Sequence, residues 1–92
     1  MASGDNGVPV RLVEDAGARL VAFDGQIFTL RSPRAFAPGA PVRFSVALES
    51  EARALEGRSI GSRRLPDGGF EVRLRAVNLR RADREHLRAL LA

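Results

Sequence analysis

The chain has no cysteine, lysine, tryptophan or tyrosine, and it carries a single histidine and a single methionine. The absence of cysteine excludes disulfide staples and thiolate zinc sites, and one histidine excludes the usual imidazole clusters. A metal ion would have to rest on carboxylates alone, and these are scattered along the sequence, so no metal or other cofactor is expected. Long apolar runs are also missing: none approaches the roughly 18 residues that a membrane-spanning helix needs. The segment Met1-Ala2-Ser3-Gly4-Asp5-Asn6-Gly7 has neither the basic start nor the apolar core of a secretion signal. A cytoplasmic location without membrane insertion is therefore the expectation.

What is present fits one folded domain. Ninety-two residues suffice for one core and not for two. An apolar fraction of 45%, periodically placed, argues against disorder. All fifteen basic residues are arginine, a usage more simply ascribed to a GC-rich genome than to a ligand. Their distribution carries more information. Residues 1 to 51 hold five Arg against six acids (net −1), whereas residues 52 to 92 hold ten Arg against five acids (net +5). The C-terminal part is thus the one suited to an anionic partner.

Residues 1 to 7 read as a flexible, polar leader, and residues 8 to 92 as the domain. A short edge strand is expected over residues 8 to 13, because Pro9 is tolerated only at an edge or a strand start. Whether it pairs within its own sheet or with a second copy is open at this point. After a turn at 14 to 17, a strand at 18 to 23 meets Asp24-Gly25, read as a type I′ hairpin turn, with its partner strand at 26 to 31. Residues 32 to 41 contain Pro33, Pro38 and Pro41 and form a loop, with Phe36 expected to fold back onto the core. Val42, Phe44, Val46 and Leu48 alternate on one face of a half-buried antiparallel strand.

A turn at 49 to 52 leads to a long strand over 53 to 65, interrupted by Gly57 and Gly61. Isolated glycines in a strand mark a bulge or a close backbone approach. With Pro66, Asp67 and Gly68 as the loop, Leu65 faces Gly69 and the register sets Arg63 opposite Glu71, Ser62 opposite Val72, Ile60 opposite Leu74 and Ser59 opposite Arg75. The outer face then presents Arg63, Arg73 and Arg75 around Glu71. The period next becomes helical over about 79 to 91, with Leu79, Ala82, Leu87, Leu90 and Leu91 on one side. Asp83 and Glu85 near the start and Arg88 near the end suit the helix dipole. This helix is expected to cover an open end of the sheet.

The succession of elements, with the residues that punctuate them, resembles a bacterial PilZ domain. The likeness runs from about Ala18 over three-quarters of the chain. Asp24-Gly25-Gln26-Ile27-Phe28-Thr29-Leu30 resembles the family's second-strand signature, and Ala37-Pro38-Gly39-Ala40-Pro41-Val42-Arg43-Phe44 the Pro-Gly and strand that follow it. Leu55-Glu56-Gly57-Arg58-Ser59-Ile60 and Gly68-Gly69-Phe70-Glu71-Val72-Arg73-Leu74 are similar to the next two strands. Leu79-Arg80-Arg81-Ala82-Asp83-Arg84-Glu85-His86-Leu87 is similar to the stretch leading into the last helix. The resemblance implies a mainly β fold: a small antiparallel six-stranded barrel with a C-terminal helix.

The departures bear on function. Typical members of that family bind cyclic di-GMP through two arginines four apart before the barrel, since guanidinium groups pair with phosphates and stack on guanine. Here the first eighteen residues hold only Arg11. The family's second element is Asp or Asn, Ser two residues on and Gly three beyond; counted from Asp24, those places hold Gln26 and Thr29. The spacings Arg80/Arg84 and Arg84/Arg88 are the ordinary repeat of a solvated helix face. Cyclic di-GMP binding is not expected.

Nor is catalysis. His86 is the one conventional base near neutral pH, set beside Leu87 without a nearby hydroxyl nucleophile, and no glycine-rich phosphate loop joins a strand to a helix. Two binding classes remain. The chain is either a degenerate PilZ-like protein-interaction adaptor, which the resemblance sets in bacterial motility, pilus or polarity control, or a small-barrel nucleic-acid binder. The adaptor's contact residues would be Arg63, Arg73, Arg75, Arg80, Arg84 and Phe36. The nucleic-acid reading would use the same arginines with phenylalanines as stacking platforms. The five phenylalanines fall mostly on apolar strand faces, which counts against it. Cyclic di-GMP bound at an unusual site is a third alternative.

Overall fold

A computed structural model of the chain describes residues 8–12, 17–48 and 51–91. Six antiparallel strands, β1 (Val8–Leu12), β2 (Ala18–Phe23), β3 (Ile27–Ser32), β4 (Pro41–Leu48), β5 (Glu51–Arg64) and β6 (Phe70–Ala76), precede one helix, α1 (Arg81–Leu91). They close into a barrel in the order β1-β2-β3-β6-β5-β4, as expected for a mainly β barrel with a C-terminal helix. The expected leader, Val13 and most of the turns at 14 to 17 and 49 to 52 lie outside the described residues.

Alternation builds the core. Val42, Phe44, Val46 and Leu48 of β4 are all buried, together with Leu20, Phe28, Leu30, Val72 and Leu74 from β2, β3 and β6. Phe28 stands at the centre, stacked on Phe23 at 4.8 Å and edge-on to Phe44 at 5.2 Å. Phe36 does fold back onto this cluster.

β1 is not an edge strand. It pairs with β2 through Val8, Pro9 and Val10 and with β4 through Arg11 and Leu12, so its pairing is within its own barrel. Pro9 is tolerated because that half of β1 is paired on the β2 side only, where one missing N–H breaks no second ladder. The first hairpin also differs from expectation. Among Asp24, Gly25 and Gln26 only Gly25 has positive φ (105°), so the turn is centred on Gly25-Gln26 in the manner of type II′, and β3 starts at Ile27. Asp24 instead works from outside the turn: its Oδ1 accepts the amides of Gln26 at 2.9 Å and Ile27 at 2.8 Å.

β5 begins at Glu51, two residues earlier than expected, and is long enough to serve two neighbours. At its bend Gly57 pairs with both Val42 and Ala76. A side chain there would bring its Cβ to 2.8 Å from Leu74 Cβ and 3.0 Å from the Arg75 carbonyl, which explains the glycine. The second glycine marks a bulge. The pairs Arg63↔Glu71 and Ser62↔Val72 hold as read from the sequence, but Gly61 then faces Arg73 and Ser59 faces Leu74, leaving Ile60 as the extra residue. Ile60 therefore does not oppose Leu74, nor Ser59 Arg75. A one-residue slip reverses faces: Ser59 is buried and Ile60 is 45% exposed.

The helix also turns out rotated. Leu87 is fully buried, with Leu79 and Leu91 against the core, yet Ala82 and Leu90 are exposed. Asp83 takes an inward place and pairs with Arg53 at 3.1 Å, so an ion pair replaces the expected alanine contact at the helix start. The helix lies against β2 and β4, the two neighbours of β1, and covers the barrel there. No helix among the described residues is long and apolar enough to cross a membrane.

Candidate functional site

Strand register places five arginines (Arg31, Arg58, Arg63, Arg73 and Arg75) and Glu71 on the outer face of β3, β6 and β5. Three rows cross it: Arg31–Glu71–Arg63, Thr29–Arg73–Gly61 and Ile27–Arg75–Arg58. Period two fixes this arrangement, because burial of Val72 and Leu74 sends Glu71, Arg73 and Arg75 outward. Arg63, Arg73 and Arg75 thus share one surface, as the hairpin register implied. The bulge adds two members that sequence reasoning missed. It shifts Arg58 opposite Arg75, and it turns Ile60 outward among the cations.

Charge on this face is poorly balanced. Glu71 meets Arg63 at 3.1 Å, and Arg31 is paired with Asp67 of the β5–β6 turn. Among the described residues Arg73 and Arg75 form no ion pair, and Arg58 spends one N–H on the Gly39 carbonyl at 3.1 Å. Like charges set directly across a sheet repel one another, so the Arg58–Arg75 pair is unfavourable unless an anion joins it. Arg73 reaches far enough to help hold the exposed Asp24 carboxyl below the ordinary aspartate value, although the amides of Gln26 and Ile27 are the main cause. Asp67 is likewise lowered, first by the Gly69 amide and then by Arg31.

A shallow cleft of about 280 Å³ lies within the face, lined by Ile60, Gly61, Ser62, Arg63, Glu71 and Arg73. Gly61 forms its floor: a Cβ built there would meet nothing within 4 Å. The position of Ile60 is held from behind. Ser59 and Ser62 both donate to the Phe36 carbonyl, at 3.0 and 2.9 Å, while the Phe36 amide donates to the Ser62 hydroxyl at 2.8 Å. The backbone of Ser59 also accepts from Gly39 and donates to Ala40.

The other expected contact residues lie elsewhere. Phe36 is half-buried with its ring under the Arg34 guanidinium, 4.8 Å away, and acts as the anchor of the proline-rich loop. Arg84 is half-buried and donates from Nε to the Gly25 carbonyl at 2.9 Å, fastening α1 to the β2–β3 turn. Arg80 is exposed at the helix start, where its carbonyl accepts the first helical hydrogen bond from Arg84. His86 is half-buried on α1. A wider opening, about 470 Å³, lies between Arg19, Arg31, Ser32 and residues 67–70, and the Arg31–Asp67 ion pair stands in its lining.

All five phenylalanines are wholly or partly buried against the core, and the one with an arginine over its ring, Phe36 under Arg34, lies in the proline-rich loop and not among the arginines of the β3–β6–β5 face. Among the described residues no three His, Asp or Glu side chains gather to hold a metal ion. No family model matches the chain, and neither the curated proteins nor the solved structures contain a significant match to it.

Proposed function

We propose that this chain is a degenerate PilZ-like barrel that acts as a non-enzymatic adaptor and docks a protein partner on the β3–β6–β5 face. As the family resemblance implies, its setting is bacterial motility, pilus or polarity control. One observation carries the reading: Arg58, Arg73 and Arg75 stand on one sheet face without ion-pair partners among the described residues, beside an exposed aliphatic residue rather than an exposed ring. A face of cations with an apolar centre has the chemistry of an interaction surface for an acidic protein. Nucleic acid is a poorer fit, because stacking platforms are absent from the face and Glu71 stands in it. Cyclic di-GMP plays no part in the proposal, since Gln26 and Thr29 occupy places where the family's motif has Ser and Gly.

Co-purification from the native host tests it. The wild-type chain should retain a partner that the double variant Arg73→Glu, Arg75→Glu loses, with the thermal midpoint unchanged. Capture retained by the variant contradicts the assignment of the face. A parallel titration with single-stranded oligonucleotide should show no binding at low salt; affinity that falls steeply with salt supports the nucleic-acid alternative instead.

A further inference from the structure

We infer that the cleft beside Ile60 receives one aliphatic side chain of an acidic segment of the partner, whose carboxylates are held by Arg63, Arg73 and the arginines next to them; this rests on the docking reading above. Three observations converge on the occupant. The bulge gives up burial of an isoleucine, leaving it 45% exposed on a face whose other isoleucine, Ile27, is half-buried in the row beyond Arg75. Next to it, Gly61 leaves open space where any other residue would put a side chain. Around both, Arg63 and Arg73 supply guanidinium groups, with Arg58 and Arg75 in the adjoining row.

The alternatives fit less well. β3 and β6 are flanked on both sides, and β5 is paired with β4 as far as Arg58, so only residues 60–64 of β5, at one margin of the face, leave an edge to which a partner could add a strand. Over the rest of the face, recognition runs through side chains. A second copy of the chain, docked face to face about a two-fold axis, would set arginine against arginine, and the net charge of +4 opposes that association generally. An acidic segment removes the repulsion between Arg58 and Arg75 while its aliphatic residue covers Ile60. Small desolvated apolar anchors ringed by charge are the usual source of energy and selectivity in such contacts.

Two synthetic peptides of equal length and equal negative charge, rich in Glu and differing only in a central Leu or Ser, provide the test by fluorescence anisotropy. The wild-type chain should bind the Leu peptide about tenfold more tightly, the ratio expected for burying part of one aliphatic side chain. Ile60→Ser should erase that ratio and leave the salt dependence intact, whereas Arg73→Glu should weaken both peptides alike and reduce the salt dependence. Equal affinity of the two peptides for the wild-type chain overturns the cleft assignment while the docking face stands, and it does so without any variant having to fold. Failure of both peptides to bind at low salt overturns the docking reading itself. An oligonucleotide of matched charge that binds better than either peptide overturns both.

Discussion

Ser59 and Phe36, 23 positions apart in the chain, are joined by a hydrogen bond of 3.0 Å from hydroxyl to carbonyl. This contact ties the proline-rich loop to the bend of β5. It also gives Ser59 a reason to face inward, and with Ser59 inside, its neighbour Ile60 must face out. The exposed apolar centre of the candidate face is thus a consequence of where a loop carbonyl finds its donors.

Ser59→Ala should therefore cost about 1 kcal/mol in urea unfolding, the usual loss for one hydrogen bond when the acceptor keeps a second donor. Ser62 remains as that donor, 2.9 Å from the same carbonyl. The combined Ser59→Ala, Ser62→Ala variant should lose more than the sum of the single changes, because the Phe36 carbonyl is then left unmet.

The ion pair under the helix start gives an asymmetric prediction. Asp83 is nearly buried and Arg53 about one-third exposed. Arg53→Ala leaves a carboxylate without its partner and should cost about 1–3 kcal/mol. Adding Asp83→Ala should recover part of that loss, so a double-mutant cycle by chemical denaturation should return a coupling well above that of an exposed surface pair, which is about 0.2–1 kcal/mol.

The pH dependence follows from two turn aspartates. Asp24 and Asp67 are held below the ordinary value of 3.8 chiefly by backbone amides, those of Gln26 and Ile27 for the first and of Gly69 for the second. A carboxyl that binds its proton less readily when folded stabilises the fold above its unfolded pKa, and that contribution is lost as pH falls through the folded value. Wild-type stability should accordingly decline from about pH 4 downward. Asp24→Ala and Asp67→Ala should each show a lower midpoint at neutral pH and a shallower decline in acid; unchanged pH profiles in both would contradict this account.

Within the face, Glu71 acts as an internal competitor. It holds Arg63 at 3.1 Å, although the Arg63 side chain is 70% exposed. Glu71→Gln should change stability by no more than about 0.5 kcal/mol. The same change should tighten binding of an acidic peptide by about two- to fivefold, since a freed cation and a lost repulsion both favour the ligand.

Much of this molecule can be read from its residues, for reasons specific to each element. The alternation Val42-Phe44-Val46-Leu48 needs only one buried face, and the Pro66-Asp67-Gly68 loop with the Arg63↔Glu71 register needs only local turn chemistry. The sharing of one surface by Arg63, Arg73 and Arg75 follows from that register. What escaped reading depends on distant partners. The bulge at Ile60 is set by Phe36, Gly39 and Ala40, and the rotation of α1 by Arg53, 30 positions before Asp83. Apolar spacing favoured Ala82 as the inward residue because a leucine or alanine carries no sign of a cation waiting across the core. The presence of two glycines in β5 did signal a bulge and a close approach, and Gly61 and Gly57 supply one each.

The most direct test of the docking face is amide chemical-shift mapping by NMR, with the Leu-bearing acidic peptide titrated into isotope-labelled protein. The account predicts perturbations confined to Thr29, residues 58–63 and residues 71–75, diminishing in Arg73→Glu. Perturbations gathered on α1 or around residues 24–26, with the β3–β6–β5 face silent, would contradict it.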